Sequence, residues 1–81
     1  MKIQVLFFAQ LRDAVGDQEW VFEINEGSTV KWAVGEILSD PRLKKFETVC
    51  MRYAVNENFA DGITKLHDGD TLALIPPVAG G

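Results

Sequence analysis

The chain has 81 residues, enough for one domain and too few for two, since domains typically run to about 100–150 residues. Hydrophobic residues make up 47% and charged residues 25%, the mixture of a folded chain rather than a disordered one. Lys and Arg number 8 against 12 Asp and Glu, and the net charge of −4 argues against nucleic acid as the partner, because phosphate binding needs a cationic face.

Lys2-Ile3-Gln4-Val5-Leu6-Phe7-Phe8 is rich in β-branched and aromatic residues and predicts a first strand. Alternation puts Ile3, Val5 and Phe7 on one face, with Lys2, Gln4, Leu6 and Phe8 on the other. Ala9 to Val15, closed by Gly16-Asp17, reads as a short turn or helical loop. Glu19 to Ile24 predicts a second strand, with Trp20, Phe22 and Ile24 on one side and Glu19 and Glu23 opposite. The short spacing joins these two strands as a hairpin. Asn25-Glu26-Gly27-Ser28 breaks the strand, and Ser28 or Thr29 can cap a helix. Val30, Ala33, Val34, Ile37 and Leu38 then recur as one apolar helical stripe. Gly35 weakens that helix by about 1 kcal/mol relative to Ala, and Asp40-Pro41 stops it.

Arg42 to Glu47 adds a turn of helix, and Val49 to Val55 predicts a third strand with Val49, Met51, Tyr53 and Val55 on one face. Asn56-Glu57-Asn58 is a turn and Phe59-Ala60 a short extended piece. Asp61-Gly62 and Asp68-Gly69-Asp70 are further turns, and Thr71 to Ile75 is the last strand. The order is β-β-α-β-(short β)-β. It predicts an α+β β-grasp (ubiquitin-like) fold: a mixed sheet of about five strands, the first and last parallel at its centre, with one main helix packed on one face. Other α+β arrangements share this order.

The longest apolar runs, Val5 to Ala9 and Leu72 to Ile75, fall far short of the roughly 20 residues that cross a bilayer. No basic start leads into an apolar stretch with a cleavage site, so neither a signal peptide nor a membrane partner is expected. Cys50 is the single cysteine, which rules out an internal disulfide and points to a reducing cytoplasm. Cys50 and His67 are too few for a structural zinc or iron–sulfur site, so no bound metal is expected.

The interior offers no conventional active site: no P-loop, dinucleotide fingerprint or His-x-x-x-His pair occurs. His67 reads as an exposed residue beside a turn. Cys50 reads as a small packing residue in a strand, on the opposite face from Val49 and Met51. Asp68 and Asp70 are paired carboxylates in sequence, but Asp-Gly-Asp before a strand is ordinary turn chemistry. Arg42, Lys44, Lys45 and Arg52 read as a solvated face, with a partner contact as the alternative.

The chain closes Ile75-Pro76-Pro77-Val78-Ala79-Gly80-Gly81. Pro76 and Pro77 lack backbone donors, so strand pairing stops there. Both rings hold φ near about −65° and favour an extended exit. The stretch from Pro76 to Gly81 reaches at most about 20 Å. A frayed terminus is the bland reading. Against it, a stiff di-proline base holds a tail away from the body, and a Gly-Gly end has no side chain to obstruct a narrow tunnel. The expected organisation is a domain over 1–75 and an extended tail over 76–81.

Val5-Leu6-Phe7-Phe8-Ala9-Gln10-Leu11-Arg12, Ala54-Val55-Asn56, Leu66-x-Asp68-Gly69-Asp70 and the Pro-Pro-Val-x-Gly-Gly close together resemble the MoaD type of the MoaD/ThiS ubiquitin-like family, the small sulfur-carrying subunits of molybdopterin synthase. The resemblance runs the whole length, though residues 17–50 carry little of it beyond Thr29-Val30. It implies that Gly81 is the reactive residue. Its free carboxylate, with a reference pKa of about 3.3–3.7, is ionised at neutral pH and a poor acceptor for nucleophiles. An activating enzyme using ATP and magnesium converts it to an acyl-adenylate, and a sulfurtransferase then leaves a thiocarboxylate. Pro76, Pro77, Val78, Ala79 and Gly80 thread that end into the large subunit, where sulfur passes to cyclic pyranopterin monophosphate in two deliveries per dithiolene. The carrier itself binds no cofactor. Catalytic residues are expected on the large subunit, in a heterotetramer of two small and two large chains.

The resemblance also implies a docking surface. Ile75 and Phe59 match family positions that contact the large subunit, Phe59 in place of a more usual aliphatic residue and Ile75 in place of a frequent aromatic. Phe8 joins them by alternation, with second-face core filling as its competing role. Three rival functions share these residues: a thiamine-pathway sulfur carrier, a protein modifier that forms isopeptide bonds, and a plain β-grasp interaction module with an idle tail. The Pro76-Pro77 base and the Phe-Phe-Ala start argue for molybdopterin. An enzyme in its own right fits least, because no nucleophile, base and orienting group can be assembled from this inventory.

Overall fold

A computed structural model describes residues 1–16 and 20–77. Period-two alternation decides the first strand, β1 (Lys2–Phe7), which buries Ile3, Val5 and Phe7 and exposes Lys2 and Leu6. The ladder stops at Phe8, where the chain turns through Ala9 at φ 50° into a helix, α1 (Ala9–Val15). Leu11 and Val15, one helical turn apart, point into the core. Strand β2 (Trp20–Glu23) returns antiparallel to β1, Lys2 opposite Glu23 and Val5 opposite Trp20. The predicted pairing therefore forms, but through a seven-residue helix rather than a tight turn. Asp17 and Glu19 lie outside the described residues.

Helix α2 (Val30–Ile37) starts at Thr29, whose side-chain oxygen accepts the Trp32 N–H at 3.2 Å. Its stripe of Val30, Ala33, Val34 and Ile37 is buried, and Leu38 continues it. A 3-10 turn follows at Lys44–Phe46. Strand β3 (Arg52–Val55) begins later than the sequence predicts, and Cys50 is exposed ahead of it rather than inside it. The cause is local: the Val49 N–H donates to the Phe46 carbonyl at 3.0 Å, so turns and not a ladder hold this segment. Asn56 and Glu57, at φ 49° and 71°, make the hairpin turn to β4 (Asn58–Ala60). Strand β5 (Thr71–Ile75) closes the sheet.

The strand order is β2-β1-β5-β3-β4. β1 and β5 run parallel at the centre, Val5 beside Leu72 and Phe7 beside Leu74, while β3 pairs antiparallel with both β5 and β4. One apolar core joins the inner face of the sheet (Ile3, Val5, Leu72, Leu74) to α1 and α2. This is the β-grasp arrangement, a mixed five-stranded sheet with a main helix across one face. Among the described residues no helix is long and apolar enough to cross a membrane.

Candidate functional site

With the core on one side, the register fixes what stands on the other. Leu6 pairs with Ala73, Ala73 with Ala54, and Ala54 with Phe59, so these four side chains form one row across β1, β5, β3 and β4. The row is large, small, small, large. It makes a depression of about 320 Å³ lined by Leu6, Phe8, Ala54, Glu57, Phe59, Thr71, Ala73 and Ile75. Phe59 is 70% exposed, Phe8 45% and Leu6 37%, whereas Ala54 and Ala73 are buried at its floor. Single exposed apolar side chains are ordinary on a protein surface; a concave cluster of them marks an interaction site.

The three docking residues predicted from the sequence, Phe8, Phe59 and Ile75, thus line one groove. Phe8 is half exposed. Two lining residues escape a reading of the sequence alone. Ala54 and Ala73 look neutral in their own strands, and only the pairing of β3 with β5 sets them side by side. Arg52 groups with the solvated cations in the sequence, yet its guanidinium stacks 4.8 Å over the Phe59 ring.

The tail leaves from the same corner. β5 ends at Ile75, Pro76 is buried and Pro77 exposed, so the exit is seated on the body through one ring before it reaches solvent. A second recess of about 490 Å³ is bordered by Phe8, Ala9, Gln10, Asp13, Ile75, Pro76 and Pro77. Phe8 and Ile75 border both depressions. Val78, Ala79, Gly80 and Gly81 lie outside the described residues.

The Asp-Gly-Asp turn anchors the start of β5 through the side chains of Asp68 and Asp70. Asp68 Oδ1 accepts the Lys2 N–H at 2.8 Å, and Gly69, at φ 85°, donates its N–H to the Lys2 carbonyl at 2.8 Å. Asp70 accepts from the Asn56 side-chain amide at 2.8 Å and from the His67 N–H at 2.7 Å. Asn56 in turn accepts the Thr71 N–H at 2.9 Å. Burial works to raise the Asp70 pKa, but the Asn56 and His67 hydrogen bonds and the His67 charge outweigh it and hold the carboxyl below its ordinary value. These bonds lock the start of β5 between β1 and β3, which fixes where its other end emerges. His67 itself is exposed, with Nδ1 3.8 Å from Asp70 Oδ2.

Comparisons with known proteins agree with this geometry. The model of the ThiS family matches residues 5–81. The Molybdopterin synthase sulfur carrier subunit of Chlamydomonas reinhardtii is 34% identical over 84 residues, covering 100% of each chain. Small archaeal modifier protein 3 of Haloferax volcanii is 28% identical over 93 residues, again 100% of both. In a solved complex of subunits 1 and 2 of molybdopterin-converting factor from Helicobacter pylori 26695, one chain matches with a TM-score of 0.72 and 28% identity over 100% of each. Matched by that family model from its first strand onward, this chain belongs to the ThiS family.

Proposed function

We propose that this chain is the sulfur-carrier subunit of a molybdopterin synthase and that Gly81 carries the sulfur. The observation that carries this reading is the sharing of Phe8 and Ile75 between the apolar groove and the exit recess. A partner seated on the groove stands beside the point where the tail leaves. The relative from Chlamydomonas reinhardtii named as such a carrier supports it, as does the Helicobacter pylori complex of subunits 1 and 2.

The reaction starts with an activating enzyme that supplies ATP and magnesium. A Gly81 carboxylate oxygen attacks the α-phosphorus, pyrophosphate leaves, and the acyl carbon becomes an electrophile. Sulfur at the sulfide level, freed from the sulfurtransferase's persulfide by a second thiol that ends in a disulfide, then attacks that carbon as AMP departs, leaving Gly81 a thiocarboxylate. Phe8, Phe59 and Ile75 dock the carrier on the large subunit, and each buried side chain contributes roughly 1.5–3 kcal/mol, enough for a specific and reversible grip. Pro76, Pro77, Val78, Ala79 and Gly80 thread Gly81 into the large subunit's active site. There the thiocarboxylate sulfur bonds to a carbon of cyclic pyranopterin monophosphate, displacing an oxygen substituent, and water cleaves the acyl–sulfur bond to return the Gly81 carboxylate, two such deliveries completing one dithiolene. The assembly is a heterotetramer of two small and two large chains in the cytoplasm. The carrier binds no cofactor of its own, which fits an interior whose motif carboxylates, Asp68 and Asp70, are taken up in holding the fold.

Incubation with ATP, an activating enzyme and a sulfur source tests this by intact mass spectrometry: one oxygen is exchanged for one sulfur at the last residue. A variant without Gly80-Gly81 loses both loading and cofactor synthesis; if it still supported synthesis, the proposal would fall. The Haloferax volcanii relative favours a second reading, a protein modifier. In that case the activated Gly81 ends on lysine side chains, and covalent conjugates accumulate in cells where the carrier reading has none.

A further inference from the structure

Arg52 is placed where docking must meet it. It stands on the outer face directly opposite Ile75, and its guanidinium lies 4.8 Å over the ring of Phe59. Phe59 and Ile75 are two of the three apolar walls on which the proposed docking rests. Any surface that covers both therefore covers Arg52. Among the described residues no carboxylate lies within ion-pair distance of it. The nearest candidate by position, Asp61, borders the same recess beside Phe59 as Arg52 does, but it makes no ion pair with Arg52 and accepts the Thr64 hydroxyl at 3.1 Å.

Covering a guanidinium strips its water, and without a counter-charge that loss exceeds what the neighbouring apolar contacts return. The group already lies over the Phe59 ring, which satisfies none of its N–H donors in the plane of the guanidinium. A carboxylate fits that edge with two parallel hydrogen bonds, as a hydroxyl or single carbonyl does not. Arg52 stands at the rim, in the recess that adjoins the groove across Phe59, while at the other end of β3 the groove is lined by Glu57, so the surface presents a cation near the tail exit and an anion at the hairpin. A surface of opposite polarity seats in one direction only.

We infer that Arg52 is a specificity-determining residue at the rim of the docking groove, pairing with a carboxylate on the large-subunit surface that covers Phe59 and Ile75. This rests on the function proposed above and deepens it: the occupant is an apolar surface carrying an acidic side chain at the Arg52 end. The pair sets register and discriminates among partners, because a surface with a cation or a plain apolar residue at that point leaves the guanidinium buried and unanswered.

The test uses the whole chain and the large subunit from the same organism, with affinity read by calorimetry at low and high salt. Arg52→Glu and Arg52→Leu each weaken binding at least about 30-fold at low salt, while the exposed position keeps their melting curves at the wild-type value. Arg52→Lys retains the charge, loses the flat stack and the two-point contact, and falls between them and the wild type. Wild-type affinity declines with salt more steeply than that of Arg52→Leu. Arg52→Leu binding as tightly as the wild type, or an equal salt dependence for the two, overturns the inference. Absence of any binding by the wild-type chain is a different failure and strikes the proposed function itself.

Discussion

Ala54 and Ala73 face each other on adjacent antiparallel strands, and their two methyl groups are the floor between the walls of Leu6 and Phe59. The groove exists because these positions are small. Leu72, one residue earlier on the same strand, points the opposite way and is fully buried in the core. Two substitutions one residue apart therefore act on different properties. Leu72→Ala is expected to cost about 2–5 kcal/mol of stability through the cavity it leaves. Ala73→Leu fills the groove instead: large-subunit affinity drops at least about tenfold while stability changes by less than about 1 kcal/mol. Urea unfolding and calorimetry on both variants check the pair, and a shared pattern of loss would mean that the two faces are not independent.

Phe59 separates binding from folding most cleanly, because it is 70% exposed in the free chain. Truncation to alanine removes little that the fold uses. It removes a wall of the groove and the platform beneath Arg52. Phe59→Ala is expected to weaken the large-subunit complex by about 1.5–3 kcal/mol, roughly 10- to 150-fold, with a melting temperature near that of the wild type. Unchanged affinity would move the docking surface elsewhere on the molecule.

The alternation of Ile3, Val5 and Phe7 and the stripe of Val30, Ala33, Val34 and Ile37 carry most of the fold, since each repeats the period of its own element. Both are legible from the sequence. Helix α1 is legible only as a helical loop: Leu11 and Val15 give it a single i, i+4 pair, and no side chain caps its start. The exposed position of Cys50 is hidden because Val49 and Met51 prolong the strand pattern, while hydrogen bonds within a turn end it. In the groove, Phe8, Phe59 and Ile75 come from alternation and resemblance. The alanine floor and Arg52 do not, since they acquire meaning from strand register, which no single segment contains. The burial of Pro76 is likewise a tertiary fact.

Asp70 ties the Asn56 side chain and the His67 backbone together, and its carboxyl is held below the ordinary pKa. A carboxylate whose folded pKa is depressed stabilises the protein fully above its unfolded value, about 3.9, and loses that contribution as the pH falls through the folded value. Asp70→Asn cannot titrate and presents a donor where two donors already point. It is expected to be less stable than the wild type by about 1–3 kcal/mol near neutral pH. The gap narrows as the pH drops below about 4 and closes only as it passes the depressed folded value, where the wild-type carboxyl also becomes neutral. Urea unfolding at neutral pH and at about pH 3 gives the comparison; a gap that stays constant would show that the charge of Asp70 contributes nothing.

The two exit prolines divide the same labour that the groove divides between its faces. Pro76 is buried, so its ring helps seat the end of β5 on the body; Pro77 is exposed, and under the proposed function its fixed φ directs the tail. Pro77→Gly frees one backbone residue, and ordering it again inside a narrow tunnel costs about 1–2 kcal/mol. With thiocarboxylated carrier and large subunit, single-turnover sulfur transfer is expected to slow by roughly 5- to 30-fold. Groove affinity and stability should stay within about 0.5 kcal/mol of the wild type, because neither uses the Pro77 ring. Pro76→Gly should slow transfer and also lower stability, since it removes a buried ring. Wild-type transfer rates in Pro77→Gly would mean that stiffness of the stalk plays no part, and that docking alone delivers Gly81 to its target.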